Sequence, residues 1–483
     1  MSQDLTNEDL APVPHEKRTW SHWNFAALWV SMAACIPTYM LASSLIEGGM
    51  NWWQAVLTVF IGNVIVLIPM VLNAHAGTAH GIPFPIYCRA AFGVRGANIP
   101  ALLRALVACG WFGIQTWIGG VAIHKILGVM FPSMLGGDPL PVIAISFSQF
   151  VCFLIFWGIN VWLIHRGIHT IRFLLVIKAP ILIGLGVLLV AWAWREAGGL
   201  GPMLSAPSAF AAGGPREGEF MSFFLPALTG MVGFWATLSL NIPDFSRYAR
   251  SQFAQIAGQA IGLPPSMALY SFIGVAVTSA TAVIYGAAIW DPIDVLTRFS
   301  NPFVLVLAMF ALVVATLSTN IAANVVSPAN DFSHLSPKRI NFRMGGYITA
   351  IIGIVIMPWK LVADPTGYIF TWLIAYSALL GPIGGILISD YIVHRQRKLD
   401  VTALYAGTGE HAYPKGFSLV AIAALILGVL PSLPGFLVVT KVLEADAVPG
   451  FFVNLYHYAW FTGFAVSFAA YLILRKIPRL RLA

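Results

Sequence analysis

The sequence predicts an all-α polytopic membrane protein of about twelve transmembrane helices, and three observations carry that expectation. Residues of the set AVILMFWYC make up 58% of the 483-residue chain, charged residues only 10%, and the mean hydropathy is +0.81, a composition far from that of a water-soluble domain. Apolar stretches long enough to cross a bilayer recur along the whole chain, since about 20 helical residues cover the hydrocarbon core. Lys and Arg also gather on alternate connections. With the N-terminus inside, 21 of the 27 fall on the inner side, so both termini are expected in the cytoplasm; the expected location is the cell's inner (plasma) membrane. A pI near 9.3 then reflects anchoring to the inner leaflet, and nothing points to nucleic acid.

Taken in order, residues 1–23 carry Asp4, Glu8, Asp9 and Glu16 before any Lys and no short apolar core with a cleavage site. They read as a cytoplasmic lead-in with no removable signal. Spanning stretches follow at 24–46, 52–74, 99–122, 140–164 and 171–194, a first group bounded by 24–196. A loop at 197–221 is expected outside the cell. The second group, 222–393, holds stretches at 222–242, 262–285, 302–326, 345–359 and 366–393. A cytoplasmic loop at 394–416 leads to two further spans, 417–438 and 456–474 within 417–475, and a cytoplasmic tail at 476–483. Cys35, Cys88, Cys109 and Cys152 have no metal-ligand spacing and read as small, reduced, apolar residues.

Several of these spans depart from a plain apolar helix. The first carries Pro37 near its middle; proline removes an N–H and clashes with the carbonyl four residues back, so carbonyls near Ala33 and Ala34 are expected to be freed. An ordinary proline kink is the alternative. Residues 82–100 are too polar to cross and too apolar for a free loop, and are expected to form a short amphipathic helix on the inner side. A segment of similar texture, Pro292 to Pro302 with Arg298 and Phe299, lies five spans later on the opposite side. Weak similarity in opposite orientation predicts an inverted repeat of spans one to five and six to ten. The sixth span should then be broken like the first, and Gly230 and Gly233 precede Trp235 at its middle.

The third and eighth spans carry the polar content. G-W-F-G-I-Q-T-W, from Gly110 to Trp117, sets Trp111 and Gln115 four residues apart on one helix face. An indole above a primary amide offers a flat surface and two hydrogen-bonding atoms to a small planar polar molecule. The plainer reading packs Trp111 at a helix interface and bonds Gln115 to a neighbouring backbone. In the eighth span Thr316, Ser318, Thr319, Asn320 and Asn324 fall within nine residues. Hydroxyls there can bond back to their own helix; two asparagines one turn apart are harder to account for in that way. No Asp or Glu falls at an expected midplane, so a neutral substrate is implied. Hydroxyls from Ser318 and Thr319 with carbonyls of a broken first span suit a hard cation such as Na+. Trp111 and Trp235 are positioned to sandwich a ring whose N–H and C=O edge is read by Gln115 and Asn324.

These motifs, with G-F-W-A-T-L-S-L-N-I-P-D-F-S-R-Y, S-T-N-I-A-A-N-V-V-S-P, R-G-A-N-I-P-A-L-L-R-A and L-G-P-I-G-G-I-L-I-S-D-Y, resemble the nucleobase:cation symporter family, and its bacterial hydantoin and allantoin permease branch in particular. The resemblance covers nearly the whole chain. It implies a leucine-transporter-like fold of five plus five inverted spans with two extra helices, and alternating access around a midplane site. It implies stacking by Trp111 and Trp235, amide contacts from Gln115 and Asn324, a backbone contact at Phe234, and a sodium site at Ser31, Ala34, Ala315, Ser318 and Thr319. No cofactor is implied beyond a coupling cation, Na+ or H+. Cys35 stands where hydantoin and allantoin carriers have an amide, and Phe234 where the hydantoin carrier has glycine.

The expected function is secondary active import of a neutral nucleobase, ureide or hydantoin (allantoin, uracil or hydantoin). An amino-acid or other small-solute symporter of the same fold is the nearest alternative. A membrane-embedded enzyme is disfavoured, because the spans hold no paired carboxylates, no H-E-x-x-H helix and no G-x-S-x-G elbow.

Overall fold

The computed structural model describes residues 5–134, 136–166, 168–364 and 367–477. The charges expected at Asp4, Arg479 and Arg481 and the expected tenth-span start at Thr366 lie outside the described residues, as do the side chains of Arg172 and Lys178. Among the described residues the chain is helical with no named strand. The first half runs through α1 (His22–Ala33), α2 (Ile36–Glu47), α3 (Trp52–His80), α4 (Phe84–Phe92), α5 (Asn98–Met130), α6 (Phe147–Arg166), α7 (Ile168–Glu196) and the single turn α8 (Leu200–Met203). The second comprises α9 (Phe220–Phe234), α10 (Ala236–Asn241), α11 (Pro243–Ser246), α12 (Gln252–Tyr285), α13 (Pro292–Leu296), α14 (Pro302–Asn324), α15 (Val326–Leu335), α16 (Phe342–Val355) and α17 (Ile374–Ile388), the last flanked by π-helical turns. After α18 (Val401–Ala406) come α19 (Leu419–Val429), α20 (Leu433–Val439), α21 (Gly450–His457) and α22 (Ala459–Leu474).

Seven helices among the described residues are long and apolar enough to cross a membrane, or nine when two bent pairs each count as one. The first bent pair is α1 with α2, turned by 60°. Extended backbone at Cys35 starts α2, and Pro37 sits in the first turn of that helix, where a missing N–H costs nothing. The break falls at Ala34 and Cys35 as expected, with one difference. The Ala33 carbonyl is not freed, because it accepts the Cys35 N–H at 2.9 Å. The counterpart break separates α9 from α10 at Trp235, and there Tyr376 donates its hydroxyl to the Gly233 carbonyl at 2.8 Å. A carbonyl released in a low-dielectric interior thus finds a donor. Gly233 lies so close to α17 that an added Cβ would sit 2.3 Å from Ser377 Oγ.

Other elements correspond across the two halves. α4 precedes α5 as α13 precedes α14, and α5 packs along α14 at the centre of the bundle. α12 lies against α1, α2 and α3, and it reaches α1 at Gly258, where a Cβ would meet the His22 carbonyl and Phe25 Cβ at 2.5 Å.

Two expectations need correction. The helix of segment 82–100 forms, but all nine residues of α4 are buried, so it is an interior element and not an amphipathic helix at the bilayer surface. It is covered by the N-terminal segment, α18 and the turn before Ser418, whose N–H donates to the Phe92 carbonyl. Four of the arginines counted as facing the inner leaflet are also buried and bonded within the protein. Arg89 bonds His334 and the carbonyls of Leu5 and Leu404, Arg104 pairs with Asp331 at 3.2 Å, Arg247 bonds the Asp9 carbonyl, and Arg395 pairs with Asp390 at 2.7 Å. Their charge ties helices together and does not meet lipid.

The segment 5–13 runs across this end of the bundle as a strap. Asn7 donates to Ser333 Oγ at 2.7 Å, the Val13 N–H to the Gly81 carbonyl at 2.9 Å, and Tyr405 to the Leu10 carbonyl, while the Leu10 side chain is fully buried.

Candidate substrate site

A cavity opens where the two broken helices face α5 and α14. Its volume is only about 40 Å³, so it is narrow. Its wall comprises Met32, Cys35 and Pro37 from the first break, Trp111 and Gln115 from α5, Phe234, Trp235, Thr237 and Leu238 from the second, and Thr319, Ala323 and Asn324 from α14. Trp111, Gln115, Phe234, Trp235 and Asn324 therefore line one cavity.

The aromatic groups form a continuous edge-to-face set. The Phe234 ring lies 5.3 Å from Trp111 and 4.9 Å from Trp235, near perpendicular to both. Trp29 stands edge-on to Trp235 at 5.2 Å, and Tyr368 and Trp372 flank Trp111 at 6.2 and 6.0 Å. Edge-to-face rings at these distances hold one another in place, which fixes the tryptophan planes.

Polar groups on this wall are left without partners. Gln115 is 3% exposed and its Oε1 accepts no hydrogen bond, and the indole Nε1 of Trp235 donates none. Gln115 does not bond a neighbouring backbone through that oxygen. An orphaned buried acceptor costs about 1–3 kcal/mol, a cost relieved when a ligand N–H occupies the cavity. Asn324 behaves differently: its amide nitrogen donates to Asn320 Oδ1 at 3.1 Å.

The residues expected to hold a cation are less unified. Thr319 lines the cavity but donates its hydroxyl to the Ala315 carbonyl at 3.0 Å, one turn back on the same helix. Ser318 is fully buried and its Oγ has no partner. Ala315 is fully buried, Ser31 partly so, and Ala34 lies at the first break, where it also edges an apolar groove formed with α7 and α12. No group of three or more His, Cys, Asp or Glu side chains stands close enough to hold a metal among the described residues.

Sequence reasoning misses three kinds of residue. Thr237 and Leu238 line the cavity because α10 restarts immediately after Trp235. Asn160 lies on α6 and touches the site only through Asn320. Asp331 carries no sequence signal because the eighth span is expected to end near residue 326, whereas α15 continues to Leu335 and carries Asp331 to Arg104.

A chain from Arabidopsis thaliana, a purine-uracil permease, is 44% identical over 98% of this chain and 78% of its own length. An allantoin permease from Bacillus subtilis is 41% identical over 99% of this chain and 94% of its own. The solved structure of Mhp1, a nucleobase-cation-symport-1 family transporter in a closed conformation with bromovinylhydantoin bound, superposes with a TM-score of 0.78 at 25% identity, covering 98% of this chain and 97% of that one. Residues 12–463 match the model of permeases for cytosine/purines, uracil, thiamine and allantoin. With two broken helices, a cavity between them and these relatives over almost its full length, the chain belongs to that permease family.

Proposed function

We propose that this permease imports a neutral, planar ring compound with alternating N–H and C=O groups, of the allantoin, uracil and hydantoin kind, by cation symport. The observation that carries the reading is the cavity wall itself: two tryptophans, an amide with an orphaned oxygen and a second amide converge on one narrow space between two broken helices. Flat aromatic faces favour a planar ring, and each stacking contact on such a face is worth about 1–3 kcal/mol. Among the described residues the wall carries no Asp, Glu, Lys or Arg, which supports a neutral cargo.

Trp111 and Trp235 stack the ring, Gln115 and Asn324 bond its polar edge, and Phe234 limits its width. Alternating access is proposed as rocking of one helical bundle against the other around this site, with the interrupted helices on one side and the amide-bearing α5 and α14 on the other.

Sodium is the proposed coupling ion, held by Ser31, Ala34, Ala315, Ser318 and Thr319. The unpartnered Ser318 hydroxyl supports this, being a buried oxygen with nothing to bond. The proposed setting is the inner (plasma) membrane with both termini in the cytoplasm. The proposed architecture has repeats at 24–196 and 222–393 and two additional spans within 417–475.

Uptake of labelled uracil, allantoin and hydantoin into cells expressing the full chain tests the reading, with sodium present or replaced and with an uncoupler. Sodium-dependent accumulation of at least one compound is expected. Failure to take up any of the three, or uptake that ignores both gradients, overturns it.

A further inference from the structure

We infer that Asn160 and Asn320, which lie outside the cavity wall, are positioning residues that fix the polarity of Asn324, so that this carrier selects rings presenting an N–H donor there and discriminates against rings presenting a bare nitrogen. The inference rests on the proposed placement of substrate in the cavity between α5, α14 and the two breaks.

Three amides and one hydroxyl are strung through the interior from α6 to the cavity. Asn160 Nδ2 donates to the Phe156 carbonyl at 2.8 Å. Asn320 Nδ2 faces the Phe112 carbonyl at 3.2 Å, Thr116 Oγ1 at 3.1 Å and Asn160 Oδ1 at 3.2 Å. Asn324 Nδ2 donates to Asn320 Oδ1 at 3.1 Å. Asn160, Thr116 and Asn320 are fully buried, so no water competes with this order.

The two ends of an asparagine amide are nearly the same shape, and which end points where is decided by partners. Here the partners leave no choice. A backbone carbonyl only accepts, so the Phe156 carbonyl requires the amino end of Asn160, which turns the Asn160 oxygen towards Asn320. The Phe112 carbonyl likewise requires the amino end of Asn320. Thr116 reinforces this, because its own proton goes to the Phe112 carbonyl at 2.7 Å and its oxygen is left to accept. Asn320 therefore offers its oxygen to Asn324, and only the amino end of Asn324 can meet it. Reversing any one amide would bury like against like, carbonyl to carbonyl or amine to amine, at several points in turn.

Asn324 lines the cavity, and with its amino end held by Asn320 its carbonyl oxygen is the acceptor it offers a ligand, beside one remaining amino hydrogen. Uracil meets it with a ring N–H. Cytosine, of nearly the same size and also uncharged, has an unprotonated acceptor at ring position 3, so that bound in the orientation in which uracil offers its 3-position N–H, two acceptors face each other.

The test uses the full chain in cells that lack their own uptake of these bases. Inhibition constants for unlabelled uracil and cytosine are measured against whichever of labelled uracil, allantoin or hydantoin is accumulated. Uracil is expected to inhibit at least about 100-fold better than cytosine, since sites built on hydrogen bonds discriminate strongly against mismatched partners. The wild-type ratio needs no variant: equal inhibition, or no inhibition by uracil, overturns the inference.

The double variant Asn160→Leu with Asn320→Leu removes both ends of the Asn160–Asn320 bond together and leaves neither side chain an orphan, which keeps the interior tolerable. Asn324 is then free to turn its amino end outward, and the uracil-to-cytosine ratio is expected to fall tenfold or more. Inhibition constants that rise together in the double variant with an unchanged ratio mean a purely structural network and overturn the inference. An Asn324→Ala carrier with wild-type uracil affinity instead overturns the proposed substrate site.

Discussion

Gln115→Leu separates the demands of binding from those of folding, because the two are expected to move in opposite directions. The wild-type side chain is 3% exposed and its Oε1 has no donor. Holding such an acceptor out of water costs about 1–3 kcal/mol. Leucine has a similar volume and no polar atom, so the substrate-free protein is expected to gain stability of about that size. With substrate present the sign reverses. A ring N–H buried in the cavity loses its acceptor, and the same 1–3 kcal/mol now weakens binding by about 5- to 150-fold. The assay pairs thermal unfolding of the purified carrier, with and without saturating substrate, with the KM for uptake. The expected outcome is a higher unfolding temperature without substrate, a smaller shift on adding it, and a raised KM. A variant less stable without substrate and unaltered in affinity would refute the argument, because Gln115 would then be serving the fold alone.

Three further outcomes follow from geometry already described. Trp111→Ala and Trp235→Ala are each expected to abolish saturable uptake while leaving carrier in the membrane; wild-type KM in either variant argues against stacking. Ser318→Ala is expected to raise the sodium concentration for half-maximal uptake several-fold, with little change at saturating sodium; sodium dependence identical to wild type removes Ser318 from the cation site. Asp331→Asn strands Arg104, both side chains being fully buried, and is expected to cost about 3–5 kcal/mol of stability, whereas Arg104→Met combined with Asp331→Leu recovers most of it. Thermal unfolding of both variants in detergent checks the pair.

The parts of this molecule readable in sequence are those whose cause is local. Pro37 announces the first break, and Gly230 with Gly233 the second, because the backbone chemistry that interrupts a helix is carried by the residue itself. Trp111, Gln115 and Asn324 stand out because amides and indoles at mid-membrane depth demand a partner. What stays hidden depends on packing between distant segments. Asn160 is an ordinary polar residue until α6 lies beside α14, 160 positions along the chain. The count of basic residues cannot separate arginines at a surface from Arg89 and Arg104 in the interior. The sharp 93° turn between α21 and α22 falls after His457 with no proline or glycine at the break, so a straight span at 456–474 is the natural expectation. Thr319 shows why a hydroxyl is ambiguous in sequence: its proton goes to the Ala315 carbonyl one turn back, while its oxygen keeps lone pairs for another partner.

The strap formed by residues 5–13 bears on the order in which the protein is made. Leu10 leaves the ribosome 395 positions ahead of Tyr405, which bonds its carbonyl. Arg89 joins Leu5 to Leu404 across a similar interval. Segment 5–13 must therefore wait, undocked, until the spans that precede Leu404 have been made, and its docking closes a loop of nearly 400 residues. Protection of residues 5–13 from added protease should appear late in biogenesis, as a sign that the last helices have taken their places.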